Sequence, residues 1–331
     1  MAEQKHIVVV GAGAFGTALA LSCLKTGFQV TLYARRPDFV EHLQARRQND
    51  RYLPGIDLPS DLAITADLSC LKQADVVLLV TPAQKTDTVL MDLKPHLGST
   101  IPLVICAKGI HREQSSLLSG IARRLIVNPV AVLSGPSFAD ELAEGKPTAV
   151  MVACQDISLA KFLARTLRHS TLRCYASDDI IGVQAAGAIK NVMAIASGVA
   201  DGLALGCNSR AALLSRGLAE MSRIGVRLGG KAETFLGLAG MGDLILTATS
   251  EKSRNYSFGL ELGHGRSIED ILAARHQVTE GFVTTAAVFE MTQELEIYAP
   301  LTAAMNDILH KRIPISQVIE DILSKQSERE F

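Results

Sequence analysis

The sequence predicts an α/β fold: a doubly wound, mostly parallel sheet followed by a C-terminal all-helical domain. Three observations carry that reading. Up to about residue 178, short β-branched runs alternate with helical stretches, the pattern of a parallel sheet covered by helices on both faces. Beyond that point no alternating run occurs, and Ala, Leu, Gly and Ile recur at helical spacing to the C-terminus. The third observation is the opening, where an apolar strand runs into Gly11-Ala-Gly-Ala-Phe-Gly16 and then into a small-residue helix. At 331 residues the chain exceeds one ordinary domain, so two are expected, 1–178 and 179–331.

Strands are expected at residues 7–10, 29–33, 63–65, 76–80, 103–106, 131–133, 149–153 and 172–175, with the first helix at 17–24. Between the first strand and that helix, each glycine has its own reason. Gly11 permits a tight turn, Gly13 lets backbone approach a pyrophosphate, and Gly16 lets helix and strand pack closely. The helix N-terminus adds unpaired N–H groups and the positive end of its dipole. Strand, glycines, helix and second strand together define a Rossmann-like dinucleotide turn, against the plainer alternative of an ordinary βα turn. The second strand ends Tyr33-Ala34-Arg35-Arg36, with no acid before Asp38 to bond ribose hydroxyls. Two guanidiniums suit a 2′-phosphate, so NADPH is favoured as cofactor and NADH is the alternative. Solvated loop arginines are the competing explanation.

Composition removes other classes. With 33 Lys plus Arg against 34 Asp plus Glu, the net charge of -1 leaves no basic surplus for nucleic acid, and the arginine pairs are isolated. Six scattered cysteines lack any CxxC spacing, and Cys106 and Cys154 sit in apolar runs where a thiol packs as a small core residue. This fits a reducing cytoplasm. Eight histidines form no HxxxH or HExxH, so no metal is expected. The polar residues 1–5 lead directly into the first strand, which is not a signal-peptide pattern. The longest apolar segment, 180–205, is broken by Gln184, Lys190, Asn191 and Asp201 and reads as a buried helix rather than a membrane insertion. The polar residues Ser177, Asp178 and Asp179 are placed to cap it.

Ligands of doubly wound sheets sit at the carboxyl ends of the strands, which points to the segments 80–82, 106–109 and 134–139. Lys190, in Gly187-Ala-Ile-Lys-Asn191, is the leading chemical candidate because it stands mid-way along the most apolar helix. A buried ammonium needs compensation, and desolvation alone favours its neutral form, which suits acid–base work near neutral pH. Snorkelling to the surface is the alternative. Lys108 ends an apolar strand and could hold an anion or polarise a carbonyl, unless it is a surface loop lysine. The glycines of 237–242 read as a flexible turn entering or interrupting a helix, and Asp243 as a carboxylate able to orient a lysine or a hydroxyl, or to act only as a cap. Ser253-Arg254-Asn255 offers a hydroxyl, a guanidinium and an amide for a phosphate monoester, and equally serves as an ordinary helix start.

Taken together, GAGAFGTALA at 11–20, CAKGI at 106–110, SGPSFADE at 134–141, GAIKNVMAIASG at 187–198, AGMGDLILT at 239–247 and SRN at 253–255 resemble the bacterial-type NAD(P)-dependent glycerol-3-phosphate dehydrogenases. The resemblance covers nearly the whole chain. It implies reversible hydride transfer between dihydroxyacetone phosphate with NAD(P)H and sn-glycerol 3-phosphate with NAD(P)+, supplying glycerol phosphate for phospholipid synthesis in the cytoplasm. The implied proton acceptor and donor is Lys190. A phosphorylated triose would be bound by Lys108, Gly135, Ser137, Lys190, Asp243, Ser253, Arg254 and Asn255. On the cofactor side the resemblance implies Ala14, Phe15, Arg35, Arg36, Lys108, Ala139, Arg254, Val278 and Glu280, beside Gly11, Gly13 and Gly16. Ala14 departs from the hydroxyl residue often found in the turn, and Arg210 stands where a lysine is commoner. Oligomeric state is not readable from the sequence, and a homodimer stays open.

Two rivals remain at this stage. A β-hydroxyacid dehydrogenase of the 6-phosphogluconate or hydroxyisobutyrate type shares the two-domain plan, but its lysine precedes an asparagine by several residues, whereas Asn191 is adjacent to Lys190. A non-catalytic dinucleotide sensor would keep the glycine turn and need no lysine pair.

Overall fold

The computed structural model describes residues 5–275 and 279–324. Eight strands form one sheet: β1 His6–Val10, β2 Gln29–Tyr33, β3 Ala63–Thr65, β4 Val76–Leu79, β5 Leu103–Ile105, β6 Val130–Ser134, β7 Thr148–Ala153 and β8 Leu172–Ser177. Their spatial order is β8-β7-β6-β5-β4-β1-β2-β3. The chain thus runs outward from β1 to β3, returns, and continues on the other side of β1 through β4, the reversal that marks a ligand site in open α/β sheets. Every pairing is parallel except β6 with β7, which is antiparallel. The central strands are apolar on both faces because both faces are covered: Ile7 to Val9, and all four residues of β4, have essentially no exposure.

All eight expected strands are present, two with the bounds read in the sequence and six with an end shifted by one or two residues. The first helix differs more. It spans Ala14–Leu24, so Gly16 lies within its first turn rather than ahead of it. An excursion that the sequence did not suggest separates β2 from β3, where Gln48–Asn49 pairs antiparallel with Leu53–Asp57. Arg47 fastens it by donating from Nε to the Leu58 carbonyl at 3.1 Å and from Nη2 to the Leu62 carbonyl at 3.1 Å.

The chain divides into two compact units, Met1–Lys108 with Ser116–Gln184, and Gly109–Ser115 with Ala185–Phe331. The division falls inside the long helix Ile180–Gly202, whose start Asp179 caps by accepting the Gly182 N–H at 2.8 Å. This helix is long and apolar enough to cross a membrane, but its residues are buried within the protein. Among the described residues the second unit is helical apart from the two-residue strand Ile110–His111, which lies against helix Glu280–Glu294. Its core gathers Val192, Ile195, Phe258, Ile271 and Leu309.

Two helices of this unit meet backbone to backbone. A Cβ on Gly198 would strike the Tyr256 carbonyl, one on Gly259 the Ile195 carbonyl, and one on Gly263 the Val199 carbonyl at 2.6 Å. Four-residue spacing places Gly198 and Gly202 on one face of Ile180–Gly202, and Gly259 and Gly263 on one face of Arg254–Gly263. Elsewhere the buried Glu220 terminates a helix from outside: its carboxylate accepts the N–H groups of Leu301 and Thr302 at 2.9 and 2.8 Å, at the start of Pro300–Leu309. Burial raises its proton affinity above the usual carboxylate range.

Overpacking the glycine contact has a readable consequence. Gly259→Ala is expected to lower stability by about 1–3 kcal/mol, measured by urea unfolding. An unchanged midpoint would mean the two helices can separate without loss.

Candidate active site

Within the first unit the glycine turn is shaped by three different constraints. Gly11 has φ +117°, and a Cβ there would lie 2.5 Å from the Val80 carbonyl oxygen. Its N–H donates to the Tyr33 carbonyl at 2.9 Å, tying the ends of β1 and β2 together. Gly16 cannot carry a side chain because its Cβ would overlap the Gly11 carbonyl. Gly13 is different: a Cβ there would meet nothing within 4 Å, so packing alone does not exclude a side chain. Its carbonyl accepts the Thr17 N–H at 2.9 Å and starts the helix, while no side chain caps that N-terminus and no acid lies in the first turn. Open space in front of uncapped N–H groups fits a pyrophosphate. Ala14 and Phe15 form the first helical residues.

Arg35 and Arg36 are exposed just beyond β2, two and three residues from the Tyr33 carbonyl that holds Gly11. The Arg36 guanidinium lies 5.3 Å from the Phe39 ring centroid. At the carboxyl ends of β5 and β6, Lys108 and Ser137 converge on one atom. The Lys108 Nζ donates to the Gly135 carbonyl at 2.8 Å, and the Ser137 hydroxyl donates to the same oxygen at 3.0 Å. Gly135 has φ +142°, which turns the chain out of the strand. Ala139 opens the helix Ala139–Glu144.

In the second unit Lys190 is 4% exposed, not snorkelling. Its Nζ donates to Asp243 Oδ1 and to Thr247 Oγ1, each at 2.5 Å. Asp243 is itself 1% exposed. The sequence argument from desolvation alone is therefore incomplete, because a carboxylate in contact favours the ammonium form. Lys190 sits against a carboxylate placed to serve as its counter-ion. The glycines before Asp243 form a single π-helical turn, Leu238–Gly242, closed by Gly242 N–H to the Gly237 carbonyl at 3.1 Å. Such turns re-aim the residue that follows. Helix Asp243–Ala248 then puts Thr247 one turn beyond Asp243 on the same face.

Ser253-Arg254-Asn255 starts helix Arg254–Gly263, and Ser253 Oγ accepts the Tyr256 N–H at 3.3 Å. Capping uses a lone pair and leaves the Ser253 hydroxyl hydrogen available. Asn255 donates to Asn191 Oδ1 at 2.9 Å and accepts the Gly281 N–H at 2.9 Å. A Cβ on Gly281 would crowd Asn255 Oδ1, Ile195 and the Asn191 carbonyl, so glycine is required for that approach. Glu280 is the first residue of Glu280–Glu294. Val278 lies outside the described residues. Arg210, the departure noted above, donates to Asp201 at 2.8 Å, and the same oxygen accepts the Tyr256 hydroxyl at 2.6 Å; burial first, and then this bond, push that phenol up to about 12.

The sequence reading gave no role to Thr247, Asn191 or Asn49. Thr247 was visible as the fourth residue after Asp243, a spacing that predicts contact on a helix. Asn49 had no local signal. Its side chain is fully buried beside the glycine turn, a long-range arrangement. All six cysteines are free thiols, and burial pushes Cys23 up to about 12. Among the described residues no group of three or more His, Cys, Asp or Glu converges.

Removing the Asp243 charge leaves the ammonium buried beside a neutral amide. Asp243→Asn is expected to cost about 3–5 kcal/mol of stability by chemical denaturation. A loss below about 1 kcal/mol would mean solvent, not Asp243, compensates Lys190.

Sheet order and glycine turn define the class: a doubly wound α/β protein of the dinucleotide-binding type, with a helical unit that carries a buried lysine–aspartate pair. Sequence comparison is more specific. The model of the NAD-dependent glycerol-3-phosphate dehydrogenase N-terminus matches residues 6–160, and that of the C-terminus matches residues 179–320. Glycerol-3-phosphate dehydrogenase [NAD(P)+] of Rhodospirillum rubrum is 46% identical over 97% of this chain and 92% of its own, and that of Gluconobacter oxydans is 44% identical over the full length of both. The crystal structure of glycerol-3-phosphate dehydrogenase (gpsA) from Coxiella burnetii superposes with a TM-score of 0.93 at 39% identity, covering 97% of this chain and 99% of that one. The chain belongs to the NAD-dependent glycerol-3-phosphate dehydrogenase family. Neither the β-hydroxyacid dehydrogenase nor the sensor reading is favoured by these matches.

Proposed function

We propose that this chain interconverts dihydroxyacetone phosphate and sn-glycerol 3-phosphate with NAD(P)H, and that Lys190 transfers the proton. The observation that carries the reading is the buried Lys190 ammonium, held at 2.5 Å by both Asp243 and Thr247. The family relationship supplies the substrate class. In this reading residues 1–178 bind the dinucleotide and residues 179–331 bind the phosphorylated triose, in the cytoplasm, as a source of glycerol phosphate for phospholipid synthesis.

Gly11, Gly13, Ala14, Phe15 and Gly16 would hold the pyrophosphate, with Arg35 and Arg36 at the adenosine end and Lys108, Ala139, Arg254, Val278 and Glu280 along the remainder. When bound, a reduced nicotinamide supplies hydride to a ketone carbon. The residues of the chain do the rest. Lys190 gives a proton from Nζ to the ketone oxygen as negative charge develops there, which removes the cost of a free alkoxide. Once neutral, its amine can accept a hydrogen bond from the Thr247 hydroxyl, which rotates to suit. The Asp243 carboxylate favours re-protonation, so the donor is restored for the next turnover. In the oxidising direction the same amine receives the carbinol proton.

Ser253, Arg254 and Asn255 would anchor the phosphate, and Gly135 and Ser137 with Lys108 would orient the carbon chain. The free hydroxyl hydrogen of Ser253, the Arg254 guanidinium and the second Nδ2 hydrogen of Asn255 are all donors, as a phosphate dianion requires. They lie at a helix N-terminus, which adds the favourable end of a dipole. Binding energy at a non-reacting phosphate is convertible into orientation of the carbonyl.

Lys190→Ala is expected to lower kcat by at least about 100-fold while fluorescence titration shows unchanged NADPH affinity. Near-normal turnover would remove Lys190 from proton transfer. Replacing both Arg35 and Arg36 by alanine is expected to raise KM for NADPH by at least about tenfold, the factor for one lost charge-assisted contact, and KM for NADH much less. Equal changes for the two cofactors would show that the arginines do not read the 2′-phosphate.

A further inference from the structure

One side chain bonded to both sides of the glycine turn lies outside it. Asn49 follows the helix Pro37–Arg46, has no exposure, and sits in the two-residue strand Gln48–Asn49. Its Nδ2 donates twice: to the Ala12 carbonyl at 3.1 Å and to the Thr17 hydroxyl at 2.7 Å. These acceptors flank the turn, one before Gly13 and the other in the helix it opens. Both hydrogens of the amide are used, so the side chain works as a staple across the segment.

The consequence follows from peptide planarity. In a trans peptide the C=O and N–H point in opposite directions. Fixing the Ala12 carbonyl toward Asn49 therefore aims the Gly13 N–H away from it. The Gly13 position is also the one where a Cβ would meet nothing within 4 Å. The bond to Thr17 fixes the first helical turn, whose N–H groups belong to Ala14, Phe15 and Gly16. The staple is held in turn by the excursion around it. Asn49 accepts the Tyr52 N–H at 3.1 Å through its carbonyl, and the Leu58 N–H donates to the Arg47 carbonyl at 2.8 Å.

We propose that Asn49 is a positioning residue for dinucleotide binding: it orients the backbone donors of Gly13 to Gly16 toward the pyrophosphate without touching the ligand. The inference deepens the dinucleotide reading of the glycine turn and rests on it. Pre-aligned donors bind an anion without paying for loop ordering, so loosening the turn acts on cofactor affinity before it acts on chemistry. A replacement that cannot donate leaves the Ala12–Gly13 peptide free to rotate. A carboxylate at 49 is worse, since it faces the Ala12 carbonyl and adds negative charge beneath the phosphates.

The test uses the full chain and measures NADPH affinity by nicotinamide fluorescence, with steady-state kinetics and far-UV circular dichroism alongside. Asn49→Ala is expected to raise Kd for NADPH at least tenfold, and Asn49→Asp further. KM for NADPH should rise in parallel, while kcat at saturating NADPH and KM for dihydroxyacetone phosphate change by less than about threefold, well under the tenfold in equilibrium constant that 1.4 kcal/mol represents. Thr17→Val removes one of the two acceptors and is the second variant, should Asn49→Ala fail to fold. It is expected to weaken NADPH several-fold, and combining it with Asn49→Ala should add less than the product of the two effects. A folded Asn49→Ala, or Thr17→Val, that binds NADPH within twofold of wild type would overturn the proposal, as would loss of kcat at unchanged affinity. If the wild-type chain itself bound neither NADPH nor NADH, the dinucleotide reading would fall and the role of Asn49 with it.

Discussion

One buried ion pair, Lys190 with Asp243, constrains the helical unit. A lone ammonium at the burial of Lys190 is too costly to keep charged, so Asp243 must arrive beside it. Pairs of this kind add little net stability, because both ions lose their hydration. The pair is therefore better understood as a placement device than as a source of stability. Several features serve that placement. The π-helical turn Leu238–Gly242 aims Asp243, and the Ser197 hydroxyl bonds the Ala248 carbonyl at 2.7 Å, tying the far end of that short helix to the lysine helix. The contacts among Gly198, Gly202, Gly259 and Gly263 bring the start of Arg254–Gly263 close enough for Asn255 to bond Asn191, the neighbour of Lys190.

The nucleotide-type unit solves the opposite problem. In the proposed reading its recognition surface is backbone, which requires side chains to be absent where the ligand approaches and present where they hold the backbone still. The glycines show both needs. Gly11 and Gly16 are excluded from carrying Cβ by neighbouring carbonyls, whereas a Cβ on Gly13 would meet nothing within 4 Å among the described residues. A glycine kept where the protein leaves room is the position that leaves space for a ligand. Asn49 and the Tyr33 carbonyl supply the rigidity that the glycines lack.

Much of this was legible in the sequence because the signals were local. The eight strands of the sheet announce themselves as β-branched runs, and the glycine turn follows the first of them directly. Asp179 stood where a cap was expected and is one. Lys190 drew notice for the same reason that makes it costly, a charge amid apolar residues. What escaped was set by tertiary geometry. Asp243 was legible as a carboxylate able to orient a lysine, but nothing local shows that the lysine is Lys190, 53 positions away, or that Asn49 reaches Ala12, 37 positions away. Nor does anything local show what the small residues of the lysine helix pack against. The approach made at Gly198 and Gly202 is by the backbone of another helix. Ser253 shows that a structural and a chemical explanation need not compete, since a capping hydroxyl keeps its hydrogen.

The central claim is that the Lys190 amine itself carries the proton. Chemical rescue tests it most directly: small primary amines added to Lys190→Ala, with NADPH and dihydroxyacetone phosphate saturating. The account predicts turnover that rises with amine concentration and varies systematically with amine basicity. Turnover that stays flat for every amine, with cofactor binding intact, would contradict it.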